Sequence, residues 1–528
     1  MIQILHNGKV YTEVKRRTHV SALAILDGKI LACGSDDEII SQFKHNAVIT
    51  NMEQRTILPG LTDAHIHLSL YALNLLRVDC ETNTMQECLD RVQEKGKLVP
   101  PGKWLLGHGW NQNTWNNQFG NTESLDAIDH QHPIYLTAKS LHAGWANSKA
   151  LQIAGISSIT PDPEGGVIQR DSRGEPTGIL FESAMDLVAG VIPKPSESDL
   201  TNAISHAQNQ LNRYGFTGIH DFDSMDCFNS LENLLENGQL NLRVIKNIPL
   251  ENLNEALRLS IHSGFGDPML KFGSVKLFAD GALGPKTAAM LKPYESTTDD
   301  YGMLLLHEDE ILEIGKKALT GKLSLAIHAI GDKANREVIS ALTKLIQIQK
   351  TSSIHSIRHR IEHLQVIAPS DLEFLRGSGI IASMQPYHMI SDQKMADRNW
   401  GMRSEFSYAW KSVADTGTVL AFGSDAPVES PDPFATIHGA VTRLPNDFAD
   451  PRGWFPEQRI TLEEALNGYT EGPAYAACQE KYVGKLLEGY FADLIVLNED
   501  PYLVPQQRLP ELRTSATMVS GKWVVKGF

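Results

Sequence analysis

Cysteine is scarce in this sequence of 528 residues, and its distribution argues against two kinds of site. The five cysteines are scattered along the chain, and no pair has the Cys-x-x-Cys spacing. An odd number of scattered cysteines indicates neither a disulfide framework nor a zinc site built from thiolates. Neither feature is expected here.

Long apolar runs and a basic leader are also absent. No stretch approaches the roughly 18 consecutive apolar residues that a membrane-spanning helix requires. Residues 1–9 lack the basic segment followed by an apolar run that is typical of a secretory signal. We therefore expect a protein of the reducing cytoplasm with no membrane partner.

Positive charge is in deficit, which disfavours one class of partner. The chain has 48 Lys and Arg against 63 Asp and Glu, a net charge of −15 at pH 7. An acidic surface repels a phosphate backbone, so no nucleic-acid partner is expected. We expect a small-molecule substrate instead, and leave a homodimer open.

The two chain ends share a pattern of short strand-like runs. Such runs fill residues 1–57, with a hairpin signal at Asp27-Gly28, and they return after about residue 480. Short strands need a partner sheet to bury one face. The sequence thus predicts one small β domain made of residues 1–57 and 480–528, which leaves 58–479 for the central domain.

The central domain alternates apolar strand-like runs with amphipathic helical stretches, as parallel sheets with crossover helices do. Eight such units favour a closed (β/α)8 barrel, an α/β fold that carries its catalytic groups at the carboxyl ends of the strands. An insertion of about residues 70–205 separates the first two units. The predicted strands are 56–65, 217–222, 242–248, 275–279, 323–329, 358–364, 380–386 and 419–426.

The motif His65-Ile66-His67 ends the first predicted strand. Side chains at positions i and i+2 of a strand point to the same side, so two imidazoles could hold one metal ion. Taken alone, the motif favours two ordinary core or surface histidines over a metal site.

Polar residues interrupt four further predicted strands, most of them at the carboxyl end. His328, His363 and Asp425 each end an apolar run, and Lys276 lies inside one. A buried Lys needs a partner or a chemical role because desolvating its charge is costly. Imidazoles and a carboxylate suit zinc or a similar divalent ion, which would activate water as hydroxide at neutral pH. Asp425 is the candidate for moving the proton of that water.

Together, these motifs resemble those of the amidohydrolase superfamily, and more closely the branch that contains the N-substituted formamide deformylases. The resemblance runs from near residue 5 to near residue 525 and implies a (β/α)8 barrel with a β-sandwich formed from both chain ends. The segments that carry it are 58–67, 275–281, 328–332, 362–363, 423–427 and 483–494.

The resemblance also implies a zinc site with two ions. By position, His65, His67 and Asp425 would hold one ion, and His328 and His363 the other. Lys276 would bridge the ions as a carbamate formed with CO2, because an ammonium group cannot ligate a cation whereas a carbamate offers two anionic oxygens. Another divalent metal, or a single ion held by His65, His67, His328 and Asp425, remains open.

Further residues are candidates for binding the substrate. Segments 107–112, 140–148 and 178–182 of the insertion resemble segments of this branch that border the substrate pocket, and they contain Trp110, His142 and Glu182. Trp110 could equally anchor the core of the insertion. Two weaker candidates, His220 and His388, lie at or near the ends of predicted strands.

Three functions agree with this sequence. The leading one is hydrolysis of a non-peptide C–N bond of amide type by metal-activated hydroxide. A cyclic amidase or aminohydrolase acting on a ring is the nearest alternative, since the same metal site serves both. A non-catalytic regulatory or binding protein that keeps the barrel is a third, but all the expected ligands are present.

Overall fold

The computed structural model describes residues 1–112, 114–116, 118–139, 142–295, 297–352, 357–445 and 450–527. The chain forms two compact units. The main unit combines Met1–Tyr71 with Ile204–Phe528, and the inserted unit is Ala72–Ala203.

The main unit contains an eight-stranded parallel sheet that curves into a barrel. Each strand pairs with the next along the chain, and the backbone N–H of Asp425 donates to the carbonyl of His65, joining the last strand to the first at 2.7 Å. The (β/α)8 barrel is therefore confirmed. Its strands are β1 (Leu61–Ile66), β2 (Phe216–Asp221), β3 (Arg243–Pro249), β4 (Leu270–Phe278), β5 (Leu325–Ala329), β6 (Arg360–His363), β7 (Ile381–Met384) and β8 (Val419–Phe422).

Amphipathic helices follow the strands. Asp332–Thr351, for example, buries Val338, Leu342 and Leu345, which share one helical face at the spacing of four and three residues. No helix in the described ranges is long and apolar enough to cross a membrane. The other helices from residue 197 onward are Glu197–Tyr214, Asp226–Glu236, Leu253–Arg258, Glu308–Thr320, Leu372–Leu375, Pro386–Trp400, Trp410–Asp415, Pro433–Thr442, Leu462–Gly468 and Glu471–Ala476.

The first predicted strand, 56–65, is two strands in the structure. Thr56–Pro59 pairs in the β domain, whereas β1 pairs in the barrel. Gly60 separates them, with its N–H donating to the carbonyl of Asp493. A Cβ at position 60 would lie 2.2 Å from Oγ1 of Thr217, so only glycine fits this crossing. The prediction of one continuous strand was wrong. The apolar residues on either side of Gly60 are alike, so the sequence pattern does not show that the chain passes there from one sheet to another.

Two sheets built from both chain ends enclose one hydrophobic core and form a small β-sandwich. The four-stranded sheet has the order Lys29–Gly34, Ala22–Leu26, Ile2–His6, Ala47–Asn51. The six-stranded sheet has the order Lys522–Lys526, Thr514–Val519, Leu494–Leu497, Thr56–Pro59, Lys9–Glu13, Thr18–Val20. The helix Asp36–Phe43 precedes the last strand of the first sheet. The boundaries at residues 57 and 480 stay predictions.

The inserted unit has its own six-stranded sheet and its own core. Trp110 and Trp145 are fully buried in that core. The sheet order is Gly166–Arg170, Pro176–Glu182, Ala143–Ala146, Ile134–Ala138, Leu105–Trp110, Val78–Asp79. Its helices include Met85–Gly96, Thr122–Ile128, Ser148–Ile153 and Asp186–Ala189, and Leu68–Leu76 leads into it.

Candidate metal centre

Imidazoles and one carboxylate meet at the carboxyl ends of the barrel strands. His65, His67 and Asp425 have ligand atoms within 4.8 Å of one another, and so do His363, His388 and Asp425. Each group offers nitrogen and oxygen donors of the kind that bind zinc and similar divalent ions. Asp425 belongs to both groups, so its carboxylate lies at the centre of the cluster.

The two oxygens of Asp425 face different histidines. Oδ1 lies 3.6 Å from Nε2 of His65 and 3.3 Å from Nε2 of His67. Oδ2 lies 3.7 Å from Nε2 of His388 and 4.0 Å from Nδ1 of His363. A carboxylate placed in this way can contribute one oxygen to each of two neighbouring cation positions.

The backbone at this cluster has an uncommon conformation at two positions. Asp425 has φ of 59° and His363 has φ of 74°, both in the left-handed region that side chains with a Cβ seldom adopt. Such conformations persist where the surrounding structure imposes them, and they are concentrated at functional sites. The Asp425 conformation is held by its N–H bond to His65 and by the bond from the His67 N–H to the carbonyl of Ala426.

Each of the four clustered histidines is held through its Nδ1 atom. His65 Nδ1 donates to Glu362 Oε2 at 2.6 Å, and His67 Nδ1 donates to Asp223 Oδ1 at 3.1 Å. Bonds of this kind fix the tautomer and the orientation of a metal-binding imidazole. The other two pairs are His363 with Gln385 at 2.8 Å and His388 with Gln365 at 3.2 Å.

The atoms that face the centre of the cluster lack hydrogen-bond partners. His65 Nε2, His388 Nε2 and Asp425 Oδ1 are all buried, and none has a partner among the described residues. Buried polar atoms are nearly always paired, so unpaired atoms that converge need an explanation. His65 Nε2 and Asp425 Oδ1 can each donate a lone pair to a cation, whereas His388 accepts through Nδ1 from the Gln365 amide and so carries its proton on Nε2. The residues present therefore fit a divalent metal ion.

Burial keeps two of these imidazoles in the neutral form that binds metal. It lowers the pKa of His65 to about 4 and the pKa of His363 well below its usual value. His67 differs: burial opposes its charge, but Asp223 and Asp425 raise its pKa to about 9. Despite burial, His67 and the other nearby imidazoles hold the pKa of Asp425 well below its ordinary value. A divalent cation would compete with the proton on His67 for the same negative charge.

Lys276 and His328 belong to neither His/Asp group. Lys276 Nζ lies 4.6 Å from the ring centre of Phe222, and burial lowers its pKa to about 8. Its neutral amine, the form that reacts with CO2, is therefore accessible near neutral pH. His328 donates through Nε2 to the carbonyl of Gly281 at 2.9 Å, and its ring centre lies 4.6 Å from that of His363. Both residues stay predicted ligands.

Asp63 connects the first and last segments of the centre. Its Oδ1 accepts hydrogen bonds from the N–H groups of His65 and Ser424, each at 3.0 Å, and its Oδ2 accepts one from the Ser424 hydroxyl at 2.6 Å. Burial raises the pKa of this carboxyl to about 7. Asp63 thus positions His65 and the loop that carries Asp425, and does not itself face the cluster.

The other predicted substrate residue of the barrel, His220, belongs to neither His/Asp group. It is buried, and its Nδ1 accepts a hydrogen bond from Arg360 at 2.8 Å. His388, predicted as a substrate contact, is instead close enough to Asp425 to act as a ligand. Both substrate roles stay predictions.

The candidates in the inserted unit differ in burial. Trp110 is fully buried, and its indole N–H donates to the carbonyl of Leu136 at 2.8 Å. His142 is exposed, and its Nδ1 lies 3.0 Å from Glu182 Oε2. Their roles in substrate binding stay predictions, and Ser140 and Leu141 of the predicted segment 140–148 lie outside the described residues.

Four positioning residues escaped the sequence analysis as site residues: Asp223, Glu362, Gln365 and Gln385. Glu362 directly precedes His363 and was seen only as part of a motif. The others stand just after a strand end, where polar residues are common. Asp223 has a usable signal in the sequence. Residues 221–223 are Asp-Phe-Asp, so two carboxylates spaced two residues apart stand at the end of β2.

We expect Asp223→Asn to weaken metal binding about 10- to 100-fold, because the amide cannot supply the negative charge that holds His67. Metal affinity would be measured by competition with a chromogenic chelator. Asp226→Asn, three residues further along and outside the centre, is the matched control. Equal affinity in the two variants would contradict the positioning role of Asp223.

Comparison with known proteins agrees with this geometry. The sequence pattern of the amidohydrolase family matches residues 49–525. YtcJ of Bacillus subtilis (strain 168), named as an amidohydrolase, is 32% identical over 99% of both chains. The N-substituted formamide deformylase of Arthrobacter pascens is 26% identical over 98% of this chain and 96% of its own.

A solved structure has the same fold over nearly the whole chain. It is an uncharacterized metal-dependent hydrolase from Pyrococcus furiosus, 28% identical, with a TM-score of 0.79. The similarity covers 95% of this chain and 100% of that one. With the family match over most of the chain, these findings show that the protein belongs to the amidohydrolase family and is a metal-dependent hydrolase.

Proposed function

We propose that this hydrolase cleaves a non-peptide C–N bond of amide type. The observation that carries the proposal is the set of unpaired donors around Asp425, buried at the carboxyl end of the barrel. The name of the Arthrobacter pascens relative specifies an N-substituted formamide, which is a substrate with such a bond. The same donors would serve a cyclic amide, so the experiment below includes ring substrates.

We assign zinc to the centre, with two ions as the preferred number. His65, His67 and Asp425 would hold the first ion. His363 and His328 would hold the second ion, and Lys276 would bridge the two ions as its carbamate. His388, whose Nε2 lies 3.7 Å from Asp425 Oδ2, would contact the substrate. A bound divalent ion lowers the pKa of water to roughly 7 and polarises a carbonyl group.

Asp425 is the residue to which we assign proton transfer. Its carboxylate is ionised at neutral pH because the surrounding imidazoles hold its pKa well below the ordinary value. It can therefore accept a proton from the attacking water and then donate that proton to the nitrogen of the leaving amine. Burial of the cluster strengthens these charge interactions by excluding bulk water.

The proposal is tested by metal analysis together with a substrate screen. Protein purified without added zinc is expected to contain one to two equivalents of metal. Zinc-loaded protein would be screened against N-formyl, N-acyl and cyclic amides, with chelated protein as the control. Hydrolysis should fall as the pH drops below roughly 6, where imidazole ligands protonate. Metal-free protein that hydrolyses amides equally well would refute the proposal.

A further inference from the structure

A second concave site lies on the main unit, away from the metal centre. It encloses about 520 Å³ and is lined mostly by residues at or before the amino-terminal ends of β4, β5 and β6, with Lys29 and Phe491 contributed by the β-sandwich. The metal centre lies at the opposite, carboxyl ends of the same strands. The volume of the cavity is in the range of pockets that hold small molecules.

The lining of this cavity carries one sign of charge. Five lining residues are Lys or Arg, and no described lining residue is Asp or Glu, although the protein has a net charge of −15. The five are Lys29, Lys271, Lys322, Arg358 and Arg360. A cleft lined by one sign of charge concentrates ligands of the opposite sign.

Two of these cations are already neutralised. Arg360 pairs with the buried Glu362, with Nε 2.5 Å from Oε1, and Arg358 pairs with Glu480 at 2.7 Å. Within the described ranges, Lys29, Lys271 and Lys322 have no carboxylate within 4.0 Å. Lys271 donates to the carbonyl of Gly264, at 3.2 Å. Three lysine charges are therefore available to an incoming anion.

The remaining walls combine apolar and hydroxyl groups. Phe272 and Phe491 contribute aromatic surface. Ser263, Ser274 and Ser324 form a chain of hydroxyls, with Oγ–Oγ distances of 3.1 Å and 2.8 Å. Lys29 and Lys322 are exposed, so the cavity can be reached from solvent. Its chemistry suits a ligand with one anionic and one apolar part.

We propose that this cavity binds a small organic anion, in which a phosphate or carboxylate group meets the lysines and an apolar group packs against the two phenylalanines. This binding site lies at the end of the barrel opposite the metal centre, and it does not depend on which bond the metal centre hydrolyses.

Isothermal titration calorimetry with phenyl phosphate and with benzoate, in 0.15 M NaCl, tests this site. At least one of the two is expected to bind saturably, with Kd at or below about 1 mM. Tighter binding of phenyl phosphate would identify phosphate esters as the ligand class, and tighter binding of benzoate would identify carboxylates. Weak, non-saturating binding of both would overturn the proposal.

The double variant Lys271→Gln, Lys322→Gln is expected to raise Kd about tenfold or more, because two charge-assisted contacts are lost. The matched control is Lys44→Gln, Lys103→Gln, which removes the same charge from exposed positions outside the cavity. Equal Kd values for the two double variants would show that net charge alone attracts the anion, and would overturn the site.

A third variant distinguishes binding in this cavity from binding at the metal centre. Asp425→Asn alters that centre and leaves the cavity lining unchanged, so the Kd for the anion should stay within about twofold of the wild-type value. Loss of binding in this variant would place the anion at the metal centre and refute the proposal. Thermal unfolding of every variant checks that the fold is intact.

Discussion

Asp425→Asn is expected to reduce hydrolysis at least about a thousandfold and to lower the metal content of the purified protein. The substitution keeps the size of the side chain but removes the charge that faces all four imidazoles of the cluster. It also removes the group to which we assign proton transfer, a role that contributes 10²- to 10⁴-fold in rate. Turnover and bound metal would be measured on the same preparation.

Asn is a suitable replacement because it tolerates the left-handed backbone conformation that position 425 adopts. The fold should therefore survive. The matched control is Asp371→Asn, since Asp371 is also buried but pairs with Arg336 outside the centre. An Asp425→Asn variant that kept full metal content and normal turnover would contradict both roles of this carboxylate.

Lys276→Ala is expected to abolish activity and to lower bound metal toward one ion or none. The carbamate that we propose to bridge the two ions would be lost, because alanine has no amine to react with CO2. Wild-type protein should carry the added mass of CO2 on Lys276, which mass spectrometry of the intact protein under non-acidic conditions can detect. Normal turnover with two metals retained would refute the bridging role.

A second substitution separates this role from packing. Lys276→Met keeps an unbranched apolar chain of similar length against Phe222 but has no amine to carboxylate. We expect it to fold as stably as the wild type and to be as inactive as Lys276→Ala. A short carboxylate such as acetate should restore part of the activity only in the Ala variant, because only that variant leaves space for it.

The sequence was informative about the barrel because strand periodicity is a local property. All eight predicted strands overlap strands of the barrel, and the polar residues that interrupt them lie where the strand order brings them together. The error at Gly60 has a physical cause: apolar residues flank the point at which the hydrogen-bond partners change from the β-sandwich to the barrel, so local hydropathy does not mark the change. Partners of that kind are distant in sequence.

The positioning residues were also missed because their partners are distant in sequence. Asp223 reaches His67 across 156 residues of sequence, and Glu362 reaches His65 across 297. Nothing in the local pattern around Gln385 distinguishes it from an ordinary polar residue after a strand. His388 was expected to contact substrate, and only its distance to Asp425 suggests that it can also act as a ligand.

By itself, the sequence determined the order of strands and the fold class and predicted the ligand types, because apolar periodicity and residue chemistry are local properties of the chain. The tertiary structure decided which atoms face one another: the unpaired nitrogens and oxygen around Asp425, the Nδ1 partners that orient each ring, and the basic cavity at the other end of the barrel. Each of these depends on closing the barrel, since closure brings together side chains from strands that are far apart in sequence.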